Sequence, residues 1–274
     1  MDIKAFKMDG LGNDFVIIDQ RNQNYNLTKD QIIKICDRNF IGCDQLIFIQ
    51  KSDKKDAELV FYNSDGSVSG ACGNGTRCVA DLLSKENNDK EIILWTSSGE
   101  LKSKISDDNL VETEIGIPKT NWDEIPLIKN LDTKNLNIKI VNKNNIEHIG
   151  GTSINVGNPH VIFFVDNIED YDLKKIGPEI ENHNYFPEKC NVTLARVISR
   201  KLIKVKVWER GAGLTKACGT AACATAVAAN INGLTDKKTD IEFALGKLSI
   251  SIDANNSVHM KGPVSDIKNI EINI

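Results

Sequence analysis

The residue types best suited to chemistry sit in two short segments, Ala71-Cys72-Gly73-Asn74-Gly75-Thr76-Arg77-Cys78 and Ala217-Cys218-Gly219-Thr220-Ala221-Ala222-Cys223. Each places Cys-Gly just ahead of a run that reads as an apolar helix. A cysteine there lies beside free backbone N–H groups and the positive end of the helix dipole. Both features favour thiolate over thiol and would lower the pKa from about 8.5. Glycine permits a tight turn and close approach of a ligand, and the same amides can hold a carboxylate. One segment thus supplies a base and an anion site, and two supply a pair of each. Inverting an α-carbon needs this set: one group removes a proton from one face and another delivers a proton to the opposite face. Preorganised N–H donors then carry the negative charge that a pyridoxal ring would otherwise absorb.

The two segments belong to a longer repeat. Their leading cysteines stand 146 residues apart, and three further pairs keep nearly that spacing in the same order: Gly12-Asn13 with Gly157-Asn158, Cys43-Asp44 with Cys190-Asn191, and Tyr62-Asn63-Ser64-Asp65-Gly66 with Val207-Trp208-Glu209-Arg210-Gly211. A duplicated domain accounts for this; the period is far too long for a solenoid. In the first half, strands are expected at 15–19, 45–50, 58–63, 91–96, 102–105 and 111–117, with helices from the Thr28 cap to about 37 and from 75 to 84. In the second half, strands are expected at 146–156, 161–165, 192–198, 202–208, 241–244, 247–252 and 257–261, with a helix from 220 to 231. A further helix at 172–181 is open to being split by Gly177-Pro178. The Asn/Lys/Asp-rich stretch 118–145 reads as a crossover. The helices after Cys72 and Cys218 are apolar nearly all round, so each should be buried with strands wrapped about it. The fold class is α/β (α+β), and facing repeats would set one cysteine on each side of an active-site cleft.

Other polar groups suit an amino-acid ligand. Arg210 could grip a carboxylate in bidentate fashion and Glu209 an ammonium, although such a pair also occurs as a solvated charge pair. Asn13, Asn63, Asn74, Asn158 and Asn191 fall in the repeated segments, where asparagine serves equally as a turn residue. His160 reads either as a tuner of a thiol pKa or as a structural histidine. Cys36, Cys43, Cys78, Cys190 and Cys223 read as small buried apolar residues. The chain has 274 residues, 41% hydrophobic and 26% charged, with net charge −4 and seven cysteines. That composition suits two globular domains and gives no nucleic-acid footprint. There is no apolar run long enough to span a bilayer and no signal-like N-terminus, so a cytoplasmic protein is expected. The odd cysteine count and missing Cys-x-x-Cys spacing disfavour a disulfide scaffold or a zinc knuckle.

The stretch 71–78 preceded by Tyr-Asn-Ser-Asp-Gly (62–66) resembles the first signature of the diaminopimelate epimerase family. Glu-Arg-Gly-Ala-Gly (209–213) with Ala-Cys-Gly-Thr (217–220) resembles the second, and Gly-Asn-Asp-Phe (12–15) and Gly-Asn-Pro-His (157–160) resemble two more of its segments. The resemblance implies interconversion of LL- and meso-diaminopimelate, with Cys72 and Cys218 as the catalytic acid/base pair and neither metal nor organic cofactor. It implies substrate contacts from Asn13, Gln45, Asn63, Asn158, Asn191, Glu209 and Arg210. Carboxylate-binding amides would come from Gly73, Asn74, Gly219 and Thr220, with His160 and Glu209 available to tune a thiol. It further implies two domains, each a barrel-like, mostly antiparallel sheet around a central helix: 1–117 with 263–274, the last strand near Glu271 returning to the first domain, and 118–262. A homodimer is implied as well. Leu214 and Ala221 depart from the expected Glu and Gly. The rival readings are a proline- or hydroxyproline-type racemase of the same two-cysteine superfamily and a thiol-redox or metal-binding protein.

Overall fold

The computed structural model describes residues 2–53, 55–70, 72–108 and 110–274. Ala71, at the head of the first signature, lies outside the described residues. The chain divides into two compact units: Met1–Glu114 with Lys261–Ile274, and Ile115–Met260.

The first unit opens with β1 (Asp2–Gly10), β2 (Asn13–Asp19), α1 (Lys29–Cys36), β3 (Gln45–Gln50) and β4 (Ala57–Asn63). It continues with β5 (Val68–Ser69), α2 (Gly73–Asn87), β6 (Glu91–Thr96), β7 (Gly99–Ile105) and β8 (Val111–Gly116). Strand β2 pairs parallel with β3, β3 antiparallel with β4, β4 parallel with β6, and β6 antiparallel with β7. The β2 and β3 segments are apolar without alternation because both faces are covered. Phe15, Ile17, Ile47 and Ile49 face the cluster around α2, whereas Val16, Ile18, Leu46 and Phe48 face the cluster around α1. Thr28 caps α1 with a full capping box to Gln31. Along α2, Asn74 through Ser84 are all buried, polar Asn74, Thr76, Arg77, Asp81 and Ser84 among them, so α2 is not the apolar-all-round helix expected.

The second unit contains β9 (Ile138–Val141), β10 (Glu147–Gly150), β11 (Thr152–Asn155), β12 (Pro159–Phe164), α3 (Leu173–Glu181), β13 (Asn191–Ser199) and β14 (Leu202–Glu209). Then come β15 (Gly213–Thr215), α4 (Gly219–Ile231), β16 (Lys238–Phe243), β17 (Gly246–Ile252) and β18 (Val258–Gly262); β19 (Lys268–Asn273) lies beyond and pairs with β1 of the first unit. The pairing pattern of the first unit recurs: β12 parallel with β13, β13 antiparallel with β14, β14 parallel with β16, β16 antiparallel with β17. Buried α4 takes the place of α2. The fold is two pseudo-repeated α/β domains, each with strands packed about one helix.

Two further expectations need correction, and one open point is decided. The strand read at 146–156 is two strands, broken at Gly151, whose φ of +103 suits glycine. The stretch 118–145 is no bare crossover: Ile125, Leu127, Leu136, Ile138 and Ile140 are buried in the core of the second unit. Pro178 does not split α3, which runs unbroken through it.

Candidate active site

Cys72 is the N-cap of α2 with φ −141 and ψ 111, and Cys218 is the N-cap of α4 with φ −140 and ψ 116. The repeat therefore reproduces the backbone at both thiols to within a few degrees. In each, the cysteine carbonyl accepts the amide four residues on: Thr76 N at 2.8 Å and Ala222 N at 3.0 Å. The amides of Gly73, Asn74 and Gly75, and of Gly219, Thr220 and Ala221, are the helix-start donors that lack a helical acceptor. Gly75 lets its helix start lie close on the sheet, since a Cβ there would come within 2.8 Å of Ile47 and 2.9 Å of Phe61.

In the first unit, Cys72 is half-buried, its Sγ 3.7 Å from Asn13 Oδ1. The same oxygen accepts from Asn74 Nδ2 at 3.2 Å, while Asn13 Nδ2 donates to Asp44 Oδ2 at 3.0 Å. Asp44 thereby fixes which end of the Asn13 amide faces the thiol. Arg38 holds Asp44 at 2.6 Å and forks onto Asp14 at 2.7 and 2.8 Å. Burial would raise the Asp14 pKa, but Arg38 and then Lys7 outweigh it and hold the carboxyl below its usual range. Gln45, first in β3, donates Nε2 to Oδ1 of Asn63, last in β4, at 2.9 Å. The structure thus joins Cys72, Asn13, Asn74 and Asp44 in one network and Gln45 with Asn63 beside each other on paired strands.

In the second unit, Asn191 opens β13 and Glu209 ends β14; strand register makes them the counterparts of Gln45 and Asn63, one residue off the sequence pairing with Asp44 and Ser64. Asn191 Oδ1 accepts the Arg210 amide at 2.9 Å, and its Nδ2 donates to Pro159 O at 3.0 Å. Arg210 Nη1 donates to Glu188 O at 2.7 Å. His160 is fully buried, its Nε2 2.8 Å from Asn158 Oδ1. Burial, then the charge of Arg210, pulls its pKa down to about 3, so the ring is neutral at neutral pH. With Nε2–H given to Asn158, Nδ1 is left as an acceptor, and among the described residues it has no hydrogen-bond partner.

Cys218 is 5% exposed, its Sγ 3.4 Å from Thr220 Oγ1. Its pKa departs from the expected fall. Burial pushes the thiol well above its ordinary value, the nearby Glu209 carboxylate pushes it further, and bonds from Thr220 and Ala221 only partly offset this. The helix start is present, but loss of water and a neighbouring anion outweigh it. Cys36, Cys43, Cys78, Cys190 and Cys223 are all buried.

Asp14, Arg38, Asp44 and Glu181 also shape the surroundings of the two clusters, although their sequence signals are slight. Asp44 sits in the repeated Cys43-Asp44 pair, next to Gln45; Glu181 falls in no repeated segment. Leu214 is exposed on β15 and Ala221 is buried in the first turn of α4.

A family model described as diaminopimelate epimerase matches residues 5–120 and again 152–267. A diaminopimelate epimerase from Pelagibacter ubique (strain HTCC1062) is 76% identical over 274 residues, covering 100% of both chains. Among solved structures, a phenazine biosynthesis protein of the PhzF family from Bacillus anthracis aligns with TM-score 0.70 at 15% identity, covering 100% of both chains. A hydroxyproline epimerase from Agrobacterium vitis aligns with TM-score 0.68 at 11% identity, covering 99% of this chain and 92% of the other. At such low identity these two establish a shared fold and nothing more. The double match of one family model to the two repeats, together with a full-length relative at 76% identity, shows that the chain belongs to the diaminopimelate epimerase family.

Proposed function

We propose that the chain interconverts LL- and meso-diaminopimelate by a two-thiol acid/base mechanism that uses no organic cofactor or metal, serving lysine and peptidoglycan precursor synthesis. The observation that carries this reading is the pair of cysteines at helix starts, in the same backbone conformation, once in each repeat. In the reaction the two thiols flank one α-carbon. One sulfur, as thiolate, takes the α-proton as the Cα–H bond breaks, and the other, as thiol, gives its proton to the opposite face of the carbanion. Cys218, held protonated by burial and Glu209, begins as the donor, and Cys72 as the acceptor. In the reverse direction the roles exchange, and Glu209 is the base adjacent to the Cys218 proton.

The amides of Gly73, Asn74, Gly219 and Thr220 take the carboxylate at the reacting carbon, where negative charge builds up. Asn13, Gln45, Asn63, Asn158, Asn191, Glu209 and Arg210 hold the remaining polar groups of the substrate, and neutral His160 tunes the second half-site. The same reading takes the working form as a cytoplasmic homodimer with neither nucleic-acid nor membrane partner; among the described residues, no helix is long and apolar enough to cross a bilayer.

The test is α-proton exchange. Incubated with LL-diaminopimelate in D2O without cofactor, the protein should yield α-deuterated meso product, and Cys72→Ala and Cys218→Ala should each abolish epimerisation. No exchange with this substrate, but exchange with proline or hydroxyproline, would replace the substrate. Undiminished epimerisation in either variant would remove the two-thiol mechanism.

A further inference from the structure

Glu181, the last residue of α3, is a carboxylate whose side chain is only 8% exposed. Burying an anion is costly unless it is well satisfied, and here it is. Oε2 accepts the Trp208 indole Nε1–H at 2.7 Å and Oε1 accepts the Gly211 amide at 3.1 Å, with Lys189 Nζ at 3.9 Å. Its backbone carbonyl accepts the amide of Cys190, the residue before Asn191, at 3.3 Å.

The two side-chain bonds fall on either side of Glu209 and Arg210. Trp208 precedes that pair and Gly211 follows it, so one carboxylate spans the turn that presents both groups. The turn is otherwise anchored by Arg210 N on Asn191 Oδ1 and by Ala212 N on Glu209 O at 3.1 Å.

A second observation on the same helix face agrees. Gly177, one turn before Glu181, is buried against Trp208: an added Cβ would lie 2.5 Å from both Cγ and Cδ2 of the indole. Glycine inside a helix costs about 1 kcal/mol relative to alanine, and proline more. Helix α3 nevertheless carries Gly177-Pro178 consecutively. At Gly177 the missing side chain makes room for the indole that Glu181 then fixes by its N–H.

We propose that Glu181, seated with Gly177 against Trp208, is a positioning residue of the site: it holds the 208–211 turn so that Glu209 stands at the Cys218 thiol and Arg210 is set for the substrate. The inference rests on the function proposed above. It concerns geometry, so the effect belongs to substrate turnover by folded protein and not to the folded fraction alone.

The test uses the full chain. Glu181→Gln keeps the shape of the side chain but can accept only one of the two donors and turns an N–H towards the other. Steady-state kinetics with LL-diaminopimelate should show kcat/KM down by roughly tenfold or more, the scale of a site displaced by a fraction of 1 Å. The loss should be split between a higher KM through Arg210 and a lower kcat through Glu209. Trp208→Phe removes the indole donor alone and should give a smaller loss. The double variant should fall short of the product of the two single losses, because both act through one bond.

Wild-type kcat and KM in folded Glu181→Gln, or fully multiplicative losses in the double variant, would overturn the inference while leaving the function intact. If Glu181→Gln does not fold, Trp208→Phe alone decides, and unchanged KM and kcat there would overturn it. An inert wild-type protein would instead remove the proposed function, and this inference with it.

Discussion

Gly75→Ala is the substitution for which the repeat gives the sharpest expectation. Gly75 sits in the first turn of α2, three residues after Cys72. An alanine methyl there would meet Ile47 Cδ1 at 2.8 Å, Phe61 Cε1 at 2.9 Å and Phe15 Cε1 at 3.2 Å. All three side chains are fully buried, so none can swing into solvent. Overpacking of this kind costs about 1–3 kcal/mol, while replacing a helical glycine by alanine returns about 1 kcal/mol. The net expectation is a loss of up to about 2 kcal/mol, or up to roughly 8 °C in Tm at this domain size. Relief requires the helix start to lift from the sheet by a few tenths of an ångström. Because Cys72 and the amides of Gly73 and Asn74 lie on that turn, kcat/KM should fall roughly severalfold in the folded variant. Urea unfolding followed by circular dichroism, beside epimerisation kinetics, reads both effects. A Gly75→Ala protein as stable as the parent, with unchanged kcat/KM, would refute the packing argument. The second unit supplies the internal control. Its equivalent residue is Ala221, and the strand pairings place Thr193 and Val207 where the first unit has Ile47 and Phe61, and His160 where it has Phe15. Smaller neighbours leave room for the methyl.

Two expectations concern titration. His160 has a folded pKa of about 3 against 6.5 in its ordinary state, so the unfolded chain binds more protons at this group between those values. Its share of stability is therefore complete above pH 6.5 and lost as the pH falls towards 3, amounting to about 2 kcal/mol between pH 6.5 and 5; His160→Gln should flatten the pH dependence of urea unfolding across that interval, and an unchanged slope would contradict the neutral buried ring. For Cys218, burial and then Glu209 raise the thiol pKa, so iodoacetamide at pH 8 should label Cys72 before Cys218, and Glu209→Gln should accelerate labelling at Cys218 as followed by peptide mass spectrometry. Slower labelling in that variant would show that Glu209 favours the thiolate.

What the sequence disclosed, and what it concealed, follows the range of the interactions involved. The helix starts at Cys72 and Cys218 were legible because a cap, a glycine and an apolar run are neighbours along the chain. The duplicated order of elements was legible from four matched pairs. The first and last strands, β1 and β19, pair across nearly the whole chain, and neither end carries a local signal strong enough to mark that partnership. Gly177-Pro178 left the continuity of α3 open, and burial of Leu173, Ile176, Gly177 and Ile180 holds the helix through it. Glu181 was invisible for the same reason: its partners lie 27 and 30 residues on, and its importance depends on a burial that no local pattern encodes.

The thiol pKa was misjudged in a way that explains how a duplicated site acquires two chemical characters. Backbone geometry alone predicts two alike cysteines, and the backbones are alike, with N-cap dihedrals agreeing to within a few degrees. The difference arises in the side chains that the repeat has exchanged. Where the first unit ends β4 with the neutral amide of Asn63, the second ends β14 with the carboxylate of Glu209. Where the first unit has Phe15, the second has His160, whose Nδ1, an acceptor, has no hydrogen-bond partner among the described residues. Cys72 stays half-open to solvent beside the Asn13 amide, while Cys218 is closed off beside an anion. Helix-start dipoles of equal strength therefore act in unequal dielectric surroundings, and the low-dielectric one favours the neutral thiol. A two-base reaction needs one sulfur deprotonated and one protonated at the outset. On the two-thiol mechanism proposed above, identical surroundings would give neither sulfur a preference, whereas the exchanged residues hold Cys218 as the thiol.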